Sequence, residues 1–148
     1  FNKKDQLIYH IACETASLHG AAMMVSRDAL QQVGPMTEIY FLFYEEFDWS
    51  AQLKRTGYKL WYEPSAVVYH KESMTAKKGT PLREFYLSRA RILYARRNTM
   101  KYDKILSCLY IAFIAAPKKA IIYLLNGKVQ LSIAVIRGTF NGLTSSKQ

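Results

Sequence analysis

Cysteine is scarce in this sequence. Cys13 and Cys108 stand alone, with no C-x-x-C spacing, which argues against a disulfide framework or a thiolate metal site. Reduced thiols in a cytosolic protein are the expectation. The seven glycines are scattered, so the chain has no glycine-rich phosphate loop. There is no initiator Met and no signal-peptide pattern. The sequence opens at Phe1 as if in mid-phrase, and we expect it to be a piece of something longer. No internal repeat or low-complexity segment occurs. Acids are the most unevenly missing class. Residues 71–148 hold three Asp or Glu against fifteen Lys or Arg, a net of +12, whereas residues 1–70 hold eight against six, a net of −2. Such asymmetry points the second half toward a polyanion, either nucleic acid or anionic lipid.

What is present is a chain of 148 residues, half of them hydrophobic, enough for one domain with a real core. Leu7–Ala12 and Leu18–Val25 are short apolar runs of strand length. Ser26 is a plausible N-cap for a helix over Arg27–Val33, ended by Gly34-Pro35. Glu45–Thr56 reads as a helix closed by Gly57, with Trp49 and Leu53 at helical spacing and Lys54 and Arg55 in its last turn. Tyr58–Tyr62 and Ala66–Tyr69 read as strands, the second delivering His70. The basic, glycine-containing stretch Lys71–Pro81 marks the main boundary, with one domain over 1–75 and a helical region over 76–148. Leu82–Met100, Asp103–Asn126 and Val129–Thr139 read as helices, with Asn126-Gly127 as a turn.

The run ILSCLYIAFIAA, Ile105–Ala116, is followed by Pro117-Lys118-Lys119 and then AIIYLL. A spanning helix needs about 20 apolar residues, and two lysines and a proline near its middle weigh against a span. A helix lying in the membrane interface is one reading, and an ordinary core helix kinked at Pro117 is the other. In the preceding helix, Arg89 and Arg96 share a face with Leu82, Tyr86, Leu93 and Met100. Guanidinium groups on an apolar stripe need partners. A diphosphate would serve, as would solvent or the acids Glu45, Glu46 and Asp48.

Those three acids fall within four positions of FLFYEEFDW, among Phe41, Phe43, Tyr44, Phe47 and Trp49. Carboxylates favour a helix N-terminus, which accounts for them without chemistry. A carboxylate flanked by aromatics is also how a general base is built. His70, at a strand end, is either structural or one ligand of a cation, and one ligand does not make a site. Gly20 would let a ligand approach the backbone closely.

Taken in order, HGAAMMVSRDALQQVG, FLFYEEFDW, GYKLWYEPSAVVYH, YLSRARILYARRN and VIRGTFNGL resemble the second half of bacterial family 2 glycosyltransferases. The rhamnosyltransferase-like members that build surface polysaccharides are the nearest in pattern. The match covers residues 17–100 well and the C-terminal helices loosely. The resemblance implies an α/β fold: part of a GT-A, Rossmann-like domain with a mixed sheet, followed by a helical C-terminal region. It implies an inverting transfer from a nucleotide-sugar donor to a cell-surface glycan or polyprenyl-diphosphate-linked acceptor. Glu46 takes the position of the general base and Asp48 is the fallback. Glu45 is a supporting neighbour, and Trp49 is among the aromatics that would wall the sugar pocket. His70 matches a histidine that helps hold a divalent metal, Mg or Mn, on the donor diphosphate. Gly20 matches a glycine near donor and acceptor. Arg89 matches the R of an R-N motif if that motif starts at Tyr86, although Ala90 then replaces Asn, whereas a start at Tyr94 gives Arg97-Asn98. Arg89, with Arg96, is assigned to substrate.

No D-x-D occurs, so the donor half of such a site is expected to be missing and the chain alone to be inactive. A cytoplasmic enzyme, peripheral on the inner face of the membrane and without a nucleic-acid partner, is the expectation. The alternative is a non-enzymatic basic module binding anionic membrane or nucleic acid.

Overall fold

The computed structural model describes residues 10–70 and 77–145. The helical segments form where their boundary residues allow. Helix α1, Arg27–Val33, starts where the Ser26 hydroxyl accepts the Ala29 N–H, and Gly34 at φ 81° ends it. A 3-10 turn, Glu38–Tyr40, leads into a loop and then helix α2, Glu45–Arg55. Helix α3, Pro81–Asn98, is capped by Thr80 and carries Pro81 at its first position, where the missing N–H has no helical role. Helix α4, Lys101–Tyr110, runs through a π-helical segment, Ile111–Ala115, into α5, Ala116–Leu125. Gly127 at φ 69° turns the chain back into α6, Val129–Thr144.

Pro117 therefore does not break the long helix. Its absent N–H and its ring are accommodated because the ladder widens just before it, over Ile111–Ala115. The result is a 25-residue helix from Lys101 to Leu125, long and apolar enough by composition to cross a membrane. Little of it is buried, so the core-helix reading of this run does not describe the fold.

The strands depart most from expectation. Strand β1, Cys13–Glu14, pairs antiparallel with β2, Trp61–Tyr62, with Cys13 opposite Tyr62. Among the described residues this two-stranded ribbon is the whole sheet, so the mixed GT-A sheet is not formed here. Leu18–Val25 and Ala66–Tyr69 carry strand-like apolar patterns but no ladder, and Val67, Val68 and Tyr69 are exposed. An apolar run becomes a strand only when a neighbour accepts its main-chain hydrogen bonds. Of the expected strand Leu7–Ala12, the first three residues lie outside the described residues, as do residues 71–76 of the predicted boundary.

Two cores result. Ala29, Trp49, Leu53 and Leu60 pack α1 against α2, with Leu18 and Met23 beside them. Tyr40, Ala90 and Leu93 join the 3-10 turn to α3. Behind α3, helix α6 approaches closely at Gly138 and Gly142. A Cβ on Gly138 would stand 2.2 Å from the Phe85 carbonyl oxygen, and one on Gly142 would stand 2.8 Å from that of Arg89.

Candidate active site

The acidic segment is built on a strained loop. Phe41, Phe43 and Tyr44 hold φ of 64°, 67° and 73°, a region that bulky residues avoid at about 1–3 kcal/mol each. Their rings compensate by packing. Phe41 lies 4.9 Å from the Tyr86 ring, and Tyr44 lies 5.4 Å from both Phe47 and Tyr94. The aromatics beside the acids thus form a wall that ties the loop to α3.

Asp48 closes this loop from inside. It is 1% exposed, and four side chains donate to its carboxylate. The Tyr40 hydroxyl donates to Oδ1 at 2.9 Å and Gln52 Nε2 to Oδ2 at 2.6 Å. Arg97 Nε donates to Oδ1 at 3.3 Å, and Asn98 Nδ2 donates to the same oxygen. Burial alone would push the Asp48 carboxyl up. The bonds from Asn98, Arg97 and Tyr40, with the Arg97 charge, outweigh it and hold the group below the usual carboxylate range. The Tyr40 hydroxyl is pushed up by burial and by the Asp48 charge. Asp48 is a fully satisfied anchor across the loop, joining α2 to the end of α3.

Glu45 and Glu46 stand on the same first turn in different surroundings. Glu45 is raised by burial and by the Glu46 charge, against a lowering bond from its own main-chain N–H, and its buried Oε2 has no hydrogen-bond partner. Glu46 is half-buried and faces the segment before α1. A Cβ on Gly20 would lie 3.9 Å from Glu46 Cβ and 4.0 Å from its carboxyl carbon. The neighbouring His19 ring stands edge-on to His70, with 6.2 Å between centroids. Gly20 thus meets Glu46, and its neighbour His19 meets His70. A cleft of about 470 Å³ is lined by Phe47, Lys54, Arg55, Tyr94 and Asn98, with Ala16 and Ser17, and none of Glu46, Gly20, His19 and His70 lines it.

The other expected site residues lie elsewhere. Trp49 is 4% exposed, and its indole N–H, the one donor it has, reaches the Gly34 carbonyl at 2.9 Å. Arg89 donates to the carbonyls of Ile39 and Tyr40 and to Asn141 Oδ1. Arg96 donates to the carbonyls of Gly142 and Ser145. These two arginines join α3 to the 3-10 turn and to α6, and the pair that meets the acidic segment is Arg97-Asn98. The Y-x-x-R-N spacing from Tyr94 is the signal that could have found it. Tyr40, Gln52 and His19 also enter the site's surroundings without a sequence signal of their own.

No family model matches the chain, and no solved structure matches it. Among curated proteins, a stretch of 61 residues is 38% identical to an N-acetylglucosaminyl-diphospho-decaprenol L-rhamnosyltransferase of Mycobacterium tuberculosis, in each of two strains. That stretch is 40% of this chain, and the chain spans about a fifth (20%) of the length of these relatives. The chain is thus similar, over part of its length, to a glycosyltransferase.

Proposed function

We propose that this chain carries the acceptor side of an inverting glycosyltransferase site, with Glu46 as the general base. The observation that supports this most is that Glu46, on the first turn of α2, lies against Gly20, whose neighbour His19 is paired with His70. The partial likeness to a rhamnosyltransferase supports the same class of reaction. In the proposed step, a Glu46 carboxylate oxygen takes the proton of an acceptor hydroxyl. The acceptor oxygen then bonds to the donor's anomeric carbon as the bond to the nucleotide diphosphate breaks, so the configuration inverts. Gly20, lacking a side chain, leaves the acceptor room beside Glu46.

Asp48 has a different part in this reading. Its oxygens already accept four donors, so it positions the turn and does not take the proton. His70 is the residue of this chain proposed to meet a divalent ion, Mg or Mn, on the donor diphosphate. Among the described residues no three His, Cys, Asp or Glu side chains converge, so further ligands would have to come from other residues. The proton transfer above does not pass through the ion.

The relatives are named for N-acetylglucosaminyl-diphospho-decaprenol, and we propose a polyprenyl-diphosphate-linked acceptor here, with a nucleotide-activated sugar as donor. The test uses the natural, full-length protein, a panel of nucleotide sugars and an N-acetylglucosaminyl-diphospho-polyprenol acceptor, read by mass spectrometry with the product anomer assigned by NMR. One added sugar with inverted configuration is expected. Retention of configuration, or no transfer from any donor, would overturn the proposal.

A further inference from the structure

The outer surface of the helical half has no role in the reaction just described. Leu106, Leu109, Phe113, Ile114, Ile121 and Leu125 recur along the outward side of the α4–α5 helix, and Phe113 is 73% exposed. Helix α6 folds back on α5 through the turn at Gly127 and adds Ile133, Ile136 and Phe140, all exposed. An apolar surface of this extent is not left to water without a partner.

The charges indicate which partner. From Lys101 to Ser145, six cations face one acid, Asp103. Lys119 is drawn inward by its ion pair with Glu84, and Lys118 is exposed. Lys104 and Arg96 line a cleft of about 320 Å³ whose walls are Ile105, Cys108, Leu109 and Leu143. Cations beside an apolar face match lipid acyl chains with anionic headgroups above them. A second copy meeting this face would bring like charges together, which disfavours self-association.

We propose that the exposed face of α4, α5 and α6 docks in the plane of an anionic lipid bilayer. The packing favours an in-plane helix over a spanning one. Helix α6 packs against both α5 and α3, and α4 also touches α3. Helix α3 carries five arginines, Arg83, Arg89, Arg91, Arg96 and Arg97. A long helix standing across the bilayer would draw them toward the hydrocarbon. Lying flat, the same helix buries its outer stripe and leaves α3 on the water side. The inference does not depend on Glu46 acting as a base.

The test is flotation of the purified chain with phosphatidylcholine vesicles, with and without phosphatidylglycerol. Binding to the anionic vesicles is expected, about tenfold or more weaker without phosphatidylglycerol or in high salt. The double variant Leu109→Glu/Phe113→Glu, with helicity checked by circular dichroism, should bind the anionic vesicles at least about tenfold less. Lys104→Ala/Lys118→Ala should reduce the preference for phosphatidylglycerol with the apolar face intact. Three results would overturn the proposal: equal vesicle binding by the parent and Glu variants, resistance to alkaline carbonate extraction, or a self-associated parent chain that ignores vesicles and that the Glu variant makes monomeric.

Discussion

Glu46 and Asp48 stand two residues apart on one helical turn, and their surroundings differ in every respect that matters to a carboxylate. On the inner side, Asp48 is enclosed by Tyr40, Gln52, Arg97 and Asn98, and these donors hold it ionised against the effect of burial. On the outer side, Glu46 meets Gly20. One carboxylate holds a loop of positive-φ aromatics in place, and the other is left to face what enters beside it. In the proposed reading, the acidic motif divides structure and chemistry between positions two apart, because α2 turns Asp48 toward α3 and Glu46 toward the segment before α1.

The largest expected effect breaks the inner side. Asp48→Ala leaves Arg97, Asn98 and Tyr40 without their common acceptor, and it should lower unfolding free energy by about 3–5 kcal/mol in chemical denaturation. Glu46→Gln should stay within about 0.5 kcal/mol of the parent in the same experiment. Similar losses from both would erase the distinction.

Acid should sharpen the same comparison. The folded pKa of Asp48 is depressed, so its contribution is present above the unfolded value near 4 and is lost as pH falls through the lower, folded value. Melting temperature should therefore drop below about pH 4. The drop should be shallower in Asp48→Asn, which has no proton to gain. A variant with the parent's full acid sensitivity would show that other groups set it.

A smaller effect comes from behind α3, the helix that supplies Arg97 and Asn98. The Cβ of Gly138→Ala would meet the Phe85 carbonyl oxygen at 2.2 Å and its Cα at 3.0 Å, main-chain atoms that cannot rotate away. Overpacking of this kind costs about 1–3 kcal/mol, readable as a lowered melting temperature. An unchanged melting temperature would mean that α3 and α6 separate easily and that the Asp48 partners are not held from this side.

Much of the helical framework was legible in the sequence, because its signals are local. Ser26, Gly34, Gly57 and Asn126-Gly127 mark boundaries that the fold uses, and the helix expected over Asp103–Asn126 runs from Lys101 to Leu125 through Pro117. The sheet was not legible, because strand patterns at Leu18–Val25 and Ala66–Tyr69 name no partner, and among the described residues they find none. At the site, the first turn of α2 and its acids were readable. The partners of those acids were not. Only Arg97 has the intact R-N pair, spaced Y-x-x-R-N from Tyr94, and the structure puts that pair, not Arg89, on Asp48. Likewise, Trp49 reads as a pocket wall among exposed aromatics until its indole is seen on the Gly34 carbonyl.

The most direct measurement is sugar transfer by the natural, full-length protein carrying Glu46→Gln, with its melting temperature recorded alongside. A general base contributes about 10²–10⁴-fold, so transfer should fall by that factor while melting stays at the parent value. Undiminished transfer by a stably folded Glu46→Gln protein would contradict the account.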